Sequence, residues 1–377
     1  MSVVSRRLAW FAVLVLAAPL LAISDPVPSP AAAAETFVVD NTESSSAFGD
    51  CTSALNDCSL RGAINAANAS PGKDIIHFDI PIGECPGGVC QITLESGGFT
   101  ITEAVDLDAT TQPRNGSPQA NVCATATQPS HPRIEVVLDA GIPQDIFYLN
   151  HAVGSTRIRG FAIGTAVSSA GTAVYIPKGS GHHIACNHIG LRASGTGSPG
   201  GGGFAAGMLL PYDSNGVIIG TDGDGVDDIA ERNVFGPGAV EALFVDGTIN
   251  HVIAGNYFGL NAAGTMKLGV GELTLRGDTE GTRVGSDGDG VSDEAERNYF
   301  AGATNIKVTS GSYDPDGVVI AGNTFGLSPT GALTSSGIGI DVSGIPLSTN
   351  GFEIRDNTFG LVESAIDSSA DGGDVLI

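Results

Sequence analysis

Short stretches of alternating aliphatic and polar residues recur through the second half of the chain. Leu273 and Leu275 alternate with Glu272, Thr274 and Arg276, Ile306 and Val308 with Lys307 and Thr309, and Ile338, Ile340 and Val342 with Gly339 and Asp341. A period of two is that of a strand with one apolar face, so each stretch predicts a short strand with its aliphatics inward. Further strands are expected at Phe37–Asp40, Ile75–Ile80, Gln91–Leu94, Phe99–Ile101 and Ile134–Leu138. One segment changes period. Across Cys58–Ser70, Leu60, Ile64 and Ala67 recur at helical spacing, with Asp57 or Ser59 placed to cap the helix.

The strands belong to a repeat. Segments Ile184–Gly190, Ile253–Gly259, Ile320–Gly326 and Ile354–Gly360 share the pattern Ile-x-x-Asn-x-x-Gly. Two further copies carry a twelve-residue insertion before the Asn: Thr221–Arg232 ahead of Asn233 and Ser286–Arg297 ahead of Asn298. The aligned asparagines are Asn187, Asn233, Asn256, Asn298, Asn323 and Asn357, and the insertion-free step from Asn233 to Asn256 is 23 residues. Several short strands in a unit of that length, joined by Gly and Asn turns, describe one coil of a parallel β-helix. Stacked coils bury a continuous aliphatic column, and equivalent Asn side chains form a ladder at one turn. Each Asn also suits a left-handed turn, which is compatible with the ladder. A β-sandwich does not require one signature at every step, and a propeller blade needs about 40–45 residues. The fold class is therefore all-β, with the helix at Cys58–Ser70 closing the N-terminal end of the solenoid.

Composition narrows the partners. The chain has 377 residues, 54 of them Gly, with 41 acidic against 17 basic residues and a net charge of −24. A bundle or coiled coil is richer in charged helix formers. Nucleic acid and anionic membranes are poor partners for so acidic a protein. Residues 1–34 read as a secretory signal: Arg6 and Arg7 precede the apolar run Leu8–Ile23, and Ala31–Ala34 offers a small-residue cleavage site. The run contains Pro19 and is shorter than the roughly 20 residues of a membrane span. Its removal takes the only Trp, Trp10, and with it the commonest platform for a sugar ring. No later segment is apolar enough to span a membrane, so a secreted or cell-surface location is expected. The organisation is then a signal at 1–34, a cap with the first coils at 35–145, and β-helix repeats at 146–377. Asp374–Ile377 looks like the opening strand of another coil, which points to a fragment of a longer chain.

Six Cys in an exported chain indicate disulfides. Cys51 with Cys58 and Cys85 with Cys90 are the close couples, and Cys123 with Cys186 completes the set. No Cys or His cluster has the paired spacing of a structural zinc site.

The run Cys58, Ser59, Leu60, Arg61, Gly62, Ala63, Ile64, preceded by Thr36–Asp40 and followed by Asp74–Phe78, resembles the CSLREA-type N-terminal region of secreted bacterial right-handed β-helix proteins. Gly62 stands where that motif has Glu. The Asn-Gly coils from about residue 146 onward resemble their repeats. The resemblance implies a right-handed, pectin-lyase-like β-helix. It leaves activity open, since the wider class holds polysaccharide lyases, glycoside hydrolases, epimerases and adhesins.

The two insertions carry the candidate chemistry. Asp222, Asp224, Asp228 and Glu231 in the first match Asp287, Asp289, Asp293 and Glu296 in the second. With Gly225 and Gly290 aligned on the turn Gly of a helix-loop-helix calcium loop, these acids fall at loop positions 3, 5, 9 and 12, and the carbonyls of Val226 and Val291 at position 7. Position 1 is Gly220 or Gly285, so one ligand is missing. The alternative is a pair of solvated acidic turns. Two coils of stacking place the blocks roughly 10 Å apart on one face, where eight carboxylates call for a cation, Ca²⁺ being the candidate.

No complete catalytic motif is present. Asp227-Asp228 and Gly181-His182-His183 match fragments of polygalacturonase-type β-helices, but their Asn-Thr-Asp element is absent and Arg157 and Arg159 precede the His pair. Arg232 and Arg297 are expected to pair with the neighbouring Glu. His182, His183 and His188 are expected to line a coil turn, and Arg276-Gly277-Asp278 is expected to be a chance tripeptide. The expected function is an extracellular scaffold or adhesion protein, calcium-stabilised, engaging an extracellular polysaccharide or a surface protein. The alternative is a lyase or glycoside hydrolase acting on an acidic polysaccharide.

Overall fold

The structure, a computed structural model, describes residues 33–114, 121–139, 144–269, 271–311, 314–332, 334, 336–345 and 351–368. All but the last two residues of the expected signal, and Asp374–Ile377, lie outside them. The described residues form a right-handed parallel β-helix in which successive coils add strands to three sheets. The first sheet runs through ten strands from Thr36–Val39 to Glu353–Arg355. The second has nine, from Cys90–Leu94 to Thr358–Phe359, and the third nine, from Phe99–Ile101 to Val362–Asp367. Among the described residues no helix is long and apolar enough to cross a membrane.

The repeat signature explains the interior. Its Ile positions stack in the first sheet as Ile184, Ile219, Ile253, Val284, Ile320 and Ile354, all buried. Its Phe positions stack in the second sheet. Phe235, Phe258, Phe300, Phe325 and Phe359 follow one another at centroid distances of 4.7, 4.6, 5.0 and 5.0 Å, with nearly parallel rings. The alternating stretches supply the third sheet, where Leu273, Leu275, Ile306, Val308, Ile340 and Val342 point inward. Ile338 is half-buried.

The six asparagines form the ladder. Asn256 is fully buried and donates from Nδ2 to the carbonyls of Ile219 and Ala254 and to Asn298 Oδ1, while its own Oδ1 accepts from the backbone N–H and Nδ2 of Asn233. The same chain of bonds links Asn187 to Asn233, Asn298 to Asn323 and Asn323 to Asn357. Buried amides left unpaired are costly, so each rung fixes the register of its coil. The ladder asparagines are not themselves left-handed. That conformation belongs to the residue before them where no block intervenes: Cys186, Gly255, Gly322 and Asp356, with φ of 60, 74, 68 and 56°.

At the N-terminal end the helix spans Leu60–Ala69, shorter than the periodic segment. Ser59 is its cap, its hydroxyl accepting from the Gly62 N–H at 3.0 Å. A Cβ on Gly62 would lie 2.1 Å from the Phe48 carbonyl oxygen, so the strand-like segment beside the helix admits no side chain there. Asp57 lies outside the helix and binds Thr52 instead. The disulfides are Cys51–Cys58, Cys85–Cys90 and Cys123–Cys186.

Candidate functional site

Both acidic blocks leave the first sheet at a glycine whose neighbours forbid anything larger. Gly220 has φ of 93°, and a Cβ there would lie 1.8 Å from the Ala254 carbonyl oxygen; at Gly285 the values are 97° and 1.9 Å from Ala321. This is why the first position of a calcium loop carries no Asp here. The blocks then follow one hydrogen-bond plan. Asp222 Oδ1 accepts from Asp224 N at 3.2 Å and Asp224 Oδ1 from Val226 N at 2.7 Å; Asp287 and Asp289 do the same at 3.0 and 2.7 Å. Thr221 donates to Asp228 at 2.6 Å, and Ser286 to Asp293 at 3.1 Å. Each block closes with one helical turn, Asp228–Glu231 or Asp293–Glu296. The flanks are a strand and a single turn, not the paired helices of a calcium loop.

Three acids of each block converge. One oxygen from each of Asp222, Asp224 and Asp228 lies within 4.8 Å of the others, and likewise for Asp287, Asp289 and Asp293. Glu231 and Glu296 do not join those triads. Each turns under its loop to accept from the backbone N–H of Asp222 or Asp287, at 3.2 and 3.1 Å. The blocks are also closer than coil spacing alone indicates. The coil between them has no insertion, so they fold onto each other, and Ser292 Oγ donates to Asp228 Oδ2 at 2.5 Å. Burial pushes the Asp228 carboxyl up. The hydroxyls of Ser292 and Thr221 and the amides of Gly225 and Gly223 outweigh that and hold it below its usual range.

The glutamates find different partners. Glu296 is fully buried and meets Arg283 at 2.9 Å. Glu231 faces a cleft of about 300 Å³ on the outer face of the first sheet, lined among others by Arg157, Arg159 and His183. Arg157 Nη2 is 3.6 Å and His183 Nε2 3.8 Å from Glu231 Oε1. Arg157 Nε is buried without a hydrogen-bond partner among the described residues. Burial, reinforced by the charge of Asp222, pushes the Glu231 carboxyl up to about 7. Burial likewise lowers His183, whose Nε2 lies 2.8 Å from the Gly220 carbonyl oxygen.

The arginines beside the blocks do not both pair as expected. Arg232 donates to the Gly255 carbonyl at 3.0 Å and lies 4.3 Å over the Tyr257 ring, leaving Glu231 alone; Arg297 pairs with Glu294, three residues back. Of His182, His183 and His188, the first and last are fully buried and bonded to Thr156 and Ser130, and His183 alone of the three is partly exposed. Arg276 is held by Asp246 at 2.6 Å and stacks on Phe244.

A second feature lies on the outer face of the third sheet. Strand register aligns Tyr148, Tyr175, Leu209, Phe244 and Thr274, one per coil. The rings of Tyr148 and Tyr175 stack at 5.3 Å. Beside them is a cleft of about 420 Å³ floored by Gly171, Ala205 and Ala206 and walled by Tyr175, Phe244 and Glu241. Glu241 and Glu272 each reach the Thr274 hydroxyl at 3.2 Å. They cover it so closely that this outward-facing Thr is only 5% exposed. Burial first, then the charge of Glu272, raises the Glu241 carboxyl, while the hydrogen bond from the Thr274 hydroxyl works the other way. In the sequence these aromatics occupy only the polar positions of alternating strands, and their alignment depends on register between coils. No protein-family model matches the chain, and no similar protein is found among curated ones.

Proposed function

We propose that the protein is an exported scaffold that holds an extracellular polysaccharide along the outer face of its third sheet. The observation that carries this reading is the row Tyr148, Tyr175, Leu209 and Phe244 beside a cleft ending in Glu241. An apolar wall with a few converging polar groups is the usual make-up of a ligand cleft. The net charge of −24 favours a neutral or amino-bearing glycan over a polyuronate. Three disulfides and the CSLREA-type resemblance support a location outside the cell. Co-sedimentation with neutral, basic and acidic polysaccharides tests the reading: neutral or basic glycan is retained, and Tyr175→Ala or Phe244→Ala weakens retention about tenfold. Retention by no glycan sinks it.

Calcium belongs to the same proposal as a brace. Asp222, Asp224 and Asp228, with Asp287, Asp289 and Asp293, supply hard oxygen donors, and backbone carbonyls complete the shell. Calcium is expected to raise the melting temperature, and Asp224→Asn with Asp289→Asn to remove the rise; an unchanged melting curve rejects the brace. The Glu241–Glu272 pair supports a second reading as a glycoside hydrolase, since two neighbouring carboxyls, one of them raised by burial, are the equipment of glycoside cleavage. Release of soluble sugar by the wild type and not by Glu241→Gln would favour that reading over the scaffold.

A further inference from the structure

The acidic blocks share a backbone plan and differ in one row of outward-facing residues. Along the first sheet that row reads Arg157, His183, Ile218, Val252 and Arg283, one per coil. The second block finds Arg283 in its own coil. Its guanidinium meets Glu296 at 2.9 Å and Asp287 at 3.8 Å, so a cation held by the chain neutralises the pair. The first block finds Ile218 in that place. Its pair, Asp222 and Glu231, looks back one coil to His183, with one donor atom from each of the three within 4.8 Å of the others, while the nearest guanidinium, that of Arg157, stays 3.6 Å from Glu231.

We propose that the first block binds one divalent cation of the zinc class through His183, Asp222 and Glu231, the ion taking the role that the Arg283 guanidinium has in the second block. His183 Nε2 stands 2.8 Å from the Gly220 carbonyl oxygen and 3.8 Å from Glu231 Oε1. The first contact is a hydrogen bond that a metal would replace, and the second exceeds by a few tenths of an ångström the ligand-to-ligand edge of about 3.4 Å in a tetrahedral site with bonds of about 2.1 Å. On binding, the ring proton of His183 moves from Nε2 to Nδ1, and the neutral imidazole offers its freed Nε2 lone pair to the metal. An imidazole nitrogen with two carboxylates suits Zn²⁺ or Co²⁺ and not calcium, which takes oxygen ligands. The adjoining cleft leaves positions on the metal open to solvent. The site shares Asp222 with the calcium brace but does not rest on it, since the nitrogen ligand sets it apart.

The test is titration of the untagged, purified protein with ZnCl₂ by calorimetry and with CoCl₂ by visible absorption. One equivalent of each metal binds, cobalt giving the d–d bands of a nitrogen-containing site. His183→Gln weakens zinc about 100-fold or more. Ile218→Arg, which places the second block's solution in the first, abolishes binding while the metal-free unfolding midpoint is kept or raised. Asp289→Asn in the second block leaves zinc affinity unchanged. Absence of cobalt bands, or zinc affinity that survives His183→Gln in a protein with native unfolding behaviour, overturns the proposal. Calcium titration of the same variants reports separately on the brace.

Discussion

The two acidic blocks have matched sequences, matched left-handed residues and matched hydrogen bonds, yet opposite electrostatic endings. Glu296 is sealed against Arg283, whereas Glu231 opens on a cleft with its nearest guanidinium 3.6 Å away. The difference comes from outside the blocks, in the strand residue that each coil offers them: Arg283 in one, Ile218 in the other. A repeat thus preserves its backbone while a neighbouring outward position decides whether the copy's glutamate is sealed in an ion pair or faces a cleft.

The largest effect is one that would blur this comparison. His182, His188 and His251 are held near 4, because burial disfavours their charged form. The unfolded chain binds protons that the folded one refuses between about 4 and 6.5. Stability is therefore complete above pH 6.5 and is lost as the pH falls toward 4, by on the order of 3 kcal/mol per histidine. Melting curves from pH 8 to 4 should show that decline, and a flat profile would contradict it. The blocks are best compared above pH 7. There, Glu296→Gln leaves the half-buried Arg283 with only the looser Asp287, 3.8 Å away, and should cost about 3 kcal/mol in urea unfolding. Glu231→Gln should cost less than about 1 kcal/mol, because its ion pair is looser and Arg157 is partly solvated. Equal costs would erase the distinction. An effect of similar size concerns the contact between blocks. Ser292→Ala removes one hydroxyl from Asp228 and should cost about 1 kcal/mol, with no change if the blocks stand apart as their coil separation suggests.

Much of the architecture was legible because it repeats. The Ile-x-x-Asn-x-x-Gly signature names the first-sheet aliphatic, the ladder Asn and the turn together, and the Phe before the final Gly marks the second-sheet stack. The disulfide couples followed from short separations, and their pairing holds in the structure. Four things escaped. The direction in which an insertion folds is set by the bare coil between the blocks, so their direct contact could not be read from coil spacing. The partners of Glu231 lie 48 and 74 residues upstream, at His183 and Arg157, and their approach depends on register. Arg232 was assigned to the adjacent Glu by proximity in sequence, but the turn swings it onto Tyr257 of the next coil. The third-sheet row was hidden for the same reason as the cleft: alternation says that a residue points outward, not which outward residues of other coils lie beside it.

The asparagine ladder has a consequence beyond cohesion. Each carboxamide from Asn187 to Asn323 donates to the carboxamide oxygen of the ladder residue in the coil after it, the last acceptor being Asn357. The column is vectorial, and each finished coil presents the same half-made rung to its successor. Register is therefore fixed coil by coil, because a coil slipped by one residue would bring no carboxamide to the rung. Whole coils can be gained or lost with every remaining rung intact, which makes the coil, not the residue, the natural unit in which such a molecule changes length.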